Sequence, residues 1–232
     1  MKPFQWKKII RTILLENKII SHVTTQMFHL LYYNSPNTWF KNTYLGYPIQ
    51  QCPFDLQIYQ ELIFSLRPKF ILQTGVNCGG SILFFASLLD LICAPKEALA
   101  IGIDIKLSER AITIKHPRVK LFEGDSTDPA IVQSIRNTLP CQTGFVSLDS
   151  DHTKKHVSKE INIYKEFVAV GSYLVVEDTH INGHPVFSSF GPGPYEAVQE
   201  FLRKDNRFIR DDNLWLRNKI SFHKYGWLKR IR

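Results

Sequence analysis

Between residues 55 and 220 the chain alternates short apolar runs with longer stretches of helical periodicity. The apolar runs are Lys69–Thr74, Ala98–Ile103, Val119–Phe122, Phe145–Leu148 and Tyr173–Val176. Runs this short and this continuously apolar read as parallel strands buried on both faces. The spacing between them predicts helices over Gly80–Leu91, Ser108–Lys115, Asp128–Thr138, with Asp128 as cap, and Val157–Val168. Strands alternating with helices imply βαβ units, with right-handed crossovers placing helices on both sheet faces. Residues 55–66 predict a preceding helix capped by Asp55 and ended by Arg67–Pro68. After the last run come a helix over Tyr195–Arg203 and two candidate strands, Phe208–Asp211 and Leu214–Ile220. The expectation is an α/β fold: a mostly parallel seven-stranded sheet, helices on both faces, and a C-terminal antiparallel hairpin.

The first 33 residues follow a different pattern. Ile9, Ile10, Ile13 and Leu14 recur at helical spacing among Lys7, Lys8, Arg11 and Lys18. We read 1–33 as a basic amphipathic helical extension and 34–232 as one domain. Phe4 and Trp6 suit a helix in peripheral contact with a membrane. The other reading packs it on the core or on a second subunit, which makes it the expected interface of a homo-oligomer. Residues 34–55 carry Pro36, Gly46, Pro48 and Pro53 with Trp39, Phe40, Tyr44 and Tyr47 between them, an ordered aromatic connection suited to covering a site.

Charge sharpens the division. The net charge is +8, yet residues 1–33 hold five Lys/Arg against one Glu, and residues 201–232 hold ten against three Asp. The middle is therefore mildly acidic, which excludes a nucleic-acid groove in the core domain. Cys52, Cys78, Cys93 and Cys141 form no CxxC pair, so reduced thiols and a cytoplasmic location are expected. No apolar run reaches bilayer-spanning length.

Candidate chemistry gathers where the apolar runs end. Gln73–Thr74–Gly75–Val76–Asn77–Cys78–Gly79–Gly80–Ser81 follows the first run and opens a helix. A dinucleotide fingerprint would need glycine at 77, where Asn77 stands. The looser turn fits S-adenosylmethionine (SAM). Ile101–Gly102–Ile103–Asp104 ends the second run in a carboxylate suited to a ribose diol, and Glu123–Gly124–Asp125–Ser126 ends the third near an adenine edge. The fourth and fifth runs end in Asp149–Ser150–Asp151–His152 and Glu177–Asp178–Thr179. Carboxylates crowded this way repel one another unless a hard divalent cation compensates.

These residues carry a resemblance. From Trp39 to the C-terminus the chain resembles the cephalosporin hydroxylase family of SAM-dependent methyltransferase folds, which includes rhamnosyl O-methyltransferases. The matching stretches are Pro53–Phe54–Asp55 with Tyr59–Gln60–Glu61, Gly75–Ser81, Gly102–Ile103–Asp104, Gly124–Asp125–Ser126, Leu148–His152, Glu177–Asp178–Thr179, Asn182–Val186 and Gly191–Val198. The resemblance implies a Rossmann-like SAM-dependent methyltransferase fold. It further implies O-methylation of a hydroxyl on a sugar, glycan or related small molecule, with SAM and Mg2+ (or another divalent cation) bound.

The implied SAM pocket comprises Gln73, Gly75, Asn77, Gly79, Gly80, Ser81, Asp104, Asp125 and Ser126. Gln73 departs from the acidic residue common there in the family. The implied metal ligands are Asp151, Glu177 and Asp178, and Asp149 can replace Asp151 because residues two apart on a strand point the same way. A proton acceptor is needed as well. Candidates are Lys154, which resembles the metal–lysine arrangement of catechol-type O-methyltransferases, with His152, His180 and His184. The Gly191–Tyr195 loop is either a substrate-side wall or a rigid turn. Two other functions remain open. A hydroxylase is suggested by the family name, although no His here is followed two residues later by Asp or Glu. The other is a non-catalytic assembly protein retaining the fold.

Overall fold

A computed structural model describes residues 17–141 and 144–232. The Ile9–Leu14 helix predicted from sequence lies outside them. The first described element is α1 (Lys18–Asn34), capped by Asn17, whose side chain accepts from the N–H groups of Ile19 and Ile20. A small antiparallel pair, β1 (Thr43–Tyr44) and β2 (Tyr47–Pro48), follows, then α2 (Pro53–Leu66). Proline opens α2 and Cys52 occupies its cap position. Asp55, predicted as that cap, is fully buried and accepts from the Phe222 N–H at 2.7 Å.

The alternating unit then runs β3 (Phe70–Thr74), α3 (Gly80–Leu91), β4 (Leu99–Asp104), β5 (Val119–Glu123), α4 (Pro129–Thr138), β6 (Phe145–Leu148), α5 (Lys154–Tyr164) and β7 (Tyr173–Val176). The C-terminal part adds α6 (Pro194–Lys204), β8 (Phe208–Arg210), α7 (Asn213–Leu216) and β9 (Trp227–Arg230). Seven strands form one sheet in the order β5-β4-β3-β6-β7-β9-β8, parallel through β7, with β9 antiparallel to both neighbours. Order reverses at β3, whose two sides pair with β4 and β6, and a crevice at such a switch point is where ligands bind.

Alternation along the strands builds two cores. Ile71 joins Tyr59, Ile63, Phe85 and Trp227 on one face, whereas Phe70 and Leu72 join Val146, Leu148, Ile161 and Tyr164 on the other. Register brings Gln73 beside Ser147, and Leu148 beside Val176, so the strand ends align along one edge.

Two predicted elements differ. The second hairpin strand is Trp227–Arg230, not Leu214–Ile220; the latter segment starts with the short helix α7, tied down where the Trp215 indole donates to Asp212 at 3.2 Å. Gly226 permits the true pairing, since a Cβ there would lie 1.8 Å from the Val176 carbonyl oxygen. Ser108–Lys115 contains only a single short turn, Ala111–Thr113, entered where the Ser108 hydroxyl donates to the Asn77 carbonyl and accepts from the Ala111 N–H. Among the described residues no helix is long and apolar enough to cross a membrane.

Candidate active site

A cavity of about 690 Å³ opens where β3, β4, β6 and β7 end. Its walls are the turn Gly75–Asn77 with Ser81, the β4 end Ile103–Ile105, Asp125 and Ser126, the stretch Asp149–His152, Asp178, and Trp39 with Pro48–Gln51 from the aromatic connection.

Main-chain contacts organise the glycine-turn side. Asp104 accepts through one oxygen from the N–H groups of Val76 and Asn77 at 2.8 and 2.9 Å, and through the other from Lys106 at 3.2 Å. Its carboxylate therefore shapes the turn while lining the cavity. Gly75 has φ +78°, and a Cβ there would lie 1.8 Å from the Asp149 carbonyl oxygen, so the turn and the acidic stretch touch through backbone alone. Asp125 is exposed, and hydrogen bonds from the Thr127 N–H and hydroxyl hold its carboxyl below the usual range. The Ser126 hydroxyl donates to buried Glu160 at 2.6 Å. Gly79 and Gly80 pack against Ile114 and the Pro48 carbonyl and lie outside the lining. Gln73 is buried, with both amide atoms unpartnered among the described residues.

The acidic side gathers three groups. One ligand atom from each of Asp149, His152 and Asp178 lies within 4.8 Å of the other two. The His152 Nε2 is 3.3 Å from an Asp178 oxygen and 4.0 Å from an Asp149 oxygen. Burial, with the charges of Glu177 and Asp178, pushes the Asp149 carboxyl well above its ordinary value. Asp178 is raised by burial as well, with the neighbouring His152 and His223 acting in the opposite direction. Asp178 also sits at φ +52°, a left-handed strain held by its N–H donating to His223 Nδ1 at 3.0 Å.

The other two predicted acids point elsewhere. Asp151 lines the cavity rim but accepts from the Thr153 N–H at 2.7 Å, which keeps its carboxyl below the usual range at the start of α5. Glu177 turns into the protein, where Tyr59 and Ser147 donate to one oxygen at 2.7 and 2.5 Å and Gln51 donates to the other. The candidate bases separate similarly. His152 lines the cavity, whereas Lys154 pairs with Glu200 at 2.8 Å on α6. His184 bonds Glu196 at 3.1 Å. Glu196 also accepts from the Gly193 N–H, so Gly191–Tyr195 is a braced turn outside the cavity lining. His180 is buried: its Nδ1 meets His29 Nε2 at 2.9 Å, and its Nε2 lies 3.6 Å from Asp178.

Sequence reasoning missed the residues behind the acids. Gln51 spans them, donating to Asp149 at 3.2 Å and to Glu177, while its carbonyl oxygen lies 3.1 Å from His223 Nε2. Because His223 Nδ1 accepts from Asp178, its proton sits on Nε2, directed at Gln51 and Glu177. Asp55 and Tyr59 lay within a recognised stretch without a role. Gln51, His223 and His29 carried no local signal, being brought in from three distant segments.

The switch point at β3 and the cavity beyond it define a Rossmann-like α/β fold, and the relatives it matches make it a SAM-dependent O-methyltransferase. The family described as Rhamnosyl O-methyltransferase/CmcI matches residues 36–231. Over 211 residues the chain is 36% identical to a rhamnosyl O-methyltransferase of Mycobacterium bovis (strain BCG / Pasteur 1173P2), covering 89% of this chain and 82% of that protein. The chain belongs to the rhamnosyl O-methyltransferase/CmcI family. An apo structure of CmcI, 19% identical, superposes over 87% of this chain and 83% of its own with a TM-score of 0.63. A Mg- and SAM-bound structure of CmcI, 17% identical, gives 0.59 over 87% and 84%. At these identities the solved structures show the shared fold.

Proposed function

We propose that this protein transfers the methyl group of SAM to a hydroxyl of a sugar or glycan, assisted by a divalent cation held by Asp149 and Asp178. The observation that carries this reading is the cluster of Asp149, Asp178 and His152 on the cavity wall shared with Gly75. Two carboxylates raised by burial and by the charge of Glu177 behind them are a site that a cation relieves. A pair of carboxylate ligands, with the His152 imidazole beside them as base and not among them, suits a hard ion and differs from the two-imidazole, one-carboxylate set of iron oxygenases. A relative 36% identical is named for a rhamnosyl acceptor, and the indole of Trp39 lines the same cavity, an apolar face against which a sugar ring can pack.

When bound, SAM supplies the methyl group and the cation lowers the pKa of a coordinated hydroxyl. The chain supplies the rest. Asp104, Asp125 and Ser126 offer the adenosine its polar edge, whereas the amide of Gln73 is buried outside the cavity lining. His152 accepts the hydroxyl proton: it faces the cavity beside both carboxylates, whereas Lys154 is engaged by Glu200. Glu177 and His223 orient Asp178 from behind, a role that commonly governs metal affinity.

The test is transfer of labelled methyl from SAM to a panel of rhamnosides, other glycosides and catechols, each with and without a chelator. Chelator-sensitive labelling of glycosides is expected. Labelling insensitive to chelation, or confined to catechols, would overturn the metal or the acceptor assignment respectively.

A further inference from the structure

α1 presents two faces of opposite character. At about 100° per residue, His29 and Tyr33 fall on one side. There the His29 ring lies 5.1 Å from His180, and Tyr33 stacks on the cavity residue Trp39 at 5.3 Å. On the adjoining face, Ile19, Val23, Met27, Leu30 and Leu31 line up at spacings of three and four. They are 74%, 48%, 58%, 39% and 64% exposed. Five large apolar side chains on one helix face, exposed and with no charge among them, form a surface that needs an occupant.

Charge selects it. Residues 1–54 contain Lys2, Lys7, Lys8, Arg11, Lys18 and Lys41 against Glu16 alone, and α1 itself carries no acidic residue. A second copy seated face to face would bring two such basic segments together and pay their repulsion. An anionic bilayer accepts the apolar face among its acyl chains and the cations among its headgroups, as interfacial amphipathic helices do. We propose that α1 docks this enzyme onto anionic lipid surfaces. Its inner face is fixed to the site through His29 and Tyr33, so docking also sets the orientation of the cavity to the bilayer. The proposal stands apart from the acceptor assignment, since it requires neither SAM nor metal.

The experiment is vesicle flotation of the full chain, comparing phosphatidylcholine alone with vesicles containing about 30 mol% phosphatidylglycerol. A double variant, Val23→Glu with Met27→Glu, is run in parallel. Both positions are exposed, so the fold should survive, and circular dichroism with SAM binding checks that it does. The wild type is expected to partition at least about tenfold more onto the anionic vesicles, to lose most of that in about 0.5 M salt, and to lose it in the double variant. Three results would overturn the proposal: no partitioning of the wild type, partitioning unchanged by the double variant, or a stable wild-type dimer in light scattering that the double variant dissociates.

Discussion

On the glycine-turn side of the cavity, Asp104 takes its hydrogen bonds from main-chain N–H groups and Asp125 from the Thr127 N–H and hydroxyl, which hold the Asp125 carboxyl below the usual range. On the acidic side, Asp149 and Asp178 are raised by burial and by the charge of Glu177. Their supports come from Gln51, His223 and, through His180, His29. One side is stable as it stands; the other stores unfavourable charge until something positive arrives. The contrast separates the surface proposed to receive SAM from the centre proposed to hold a cation.

The sharpest way to break this comparison is to remove the charge itself. Asp149→Asn or Asp178→Asn should abolish measurable divalent binding and lower methyl transfer by about 10³-fold or more, since the cation's contribution is several kcal/mol. SAM binding in the absence of metal should survive, as both side chains lie beyond the glycine turn. If SAM binding is lost with the metal in these variants, the two sides are not independent.

Removing supports tests the acidic side at one remove. His223→Ala and Glu177→Gln should weaken divalent binding by about 10- to 100-fold, the range seen for groups that orient ligands. Glu177→Gln should also cost about 1–3 kcal/mol of stability in chemical denaturation, because Tyr59 and Ser147 both donate to one of its oxygens.

A pH signature belongs to His29. Burial, then the Lys224 charge, lowers its pKa to about 3 from an ordinary 6.5, so the folded chain disfavours the proton that the unfolded chain accepts. Stability should therefore decline as pH falls below about 6.5 toward about 3, and His29→Asn should flatten that decline in thermal melts. A slope unchanged by the variant would mean that His29 is not held neutral against His180.

The smallest effect is expected at Asp151. Asp151→Asn should cost under about 1 kcal/mol, through the weakened contact to the Thr153 N–H, and leave divalent affinity within about threefold.

Legibility followed the same line. The parallel strands and the glycine turn could be read because burial on both faces and the strand-to-helix transition imprint local patterns, as at Phe145–Leu148 and Gly75–Ser81. Asp104 was legible as a strand-end carboxylate. The division among the acids was not. Asp149 and Asp151 are two residues apart, and only the backbone turning into α5, capped by Thr153, sends Asp151 to the Thr153 N–H rather than to Asp178. Glu177 and Asp178 are adjacent, and their opposite directions depend on Tyr59 and His223, more than a hundred and about forty-five positions away. The C-terminal strand was misplaced for a related reason: Trp227 and Leu228 are both buried, so β9 lacks the alternation that marks a half-exposed strand.

The central claim is that Asp149 and Asp178, and not Asp151, hold a divalent cation. Calorimetric titration of the SAM-saturated chain with Mg2+, on the wild type and on Asp149→Asn, Asp178→Asn and Asp151→Asn, tests it directly. The account predicts one binding event that vanishes in the first two variants and persists in the third. Binding that survives Asp149→Asn and disappears in Asp151→Asn, or no binding in the wild type, would contradict it.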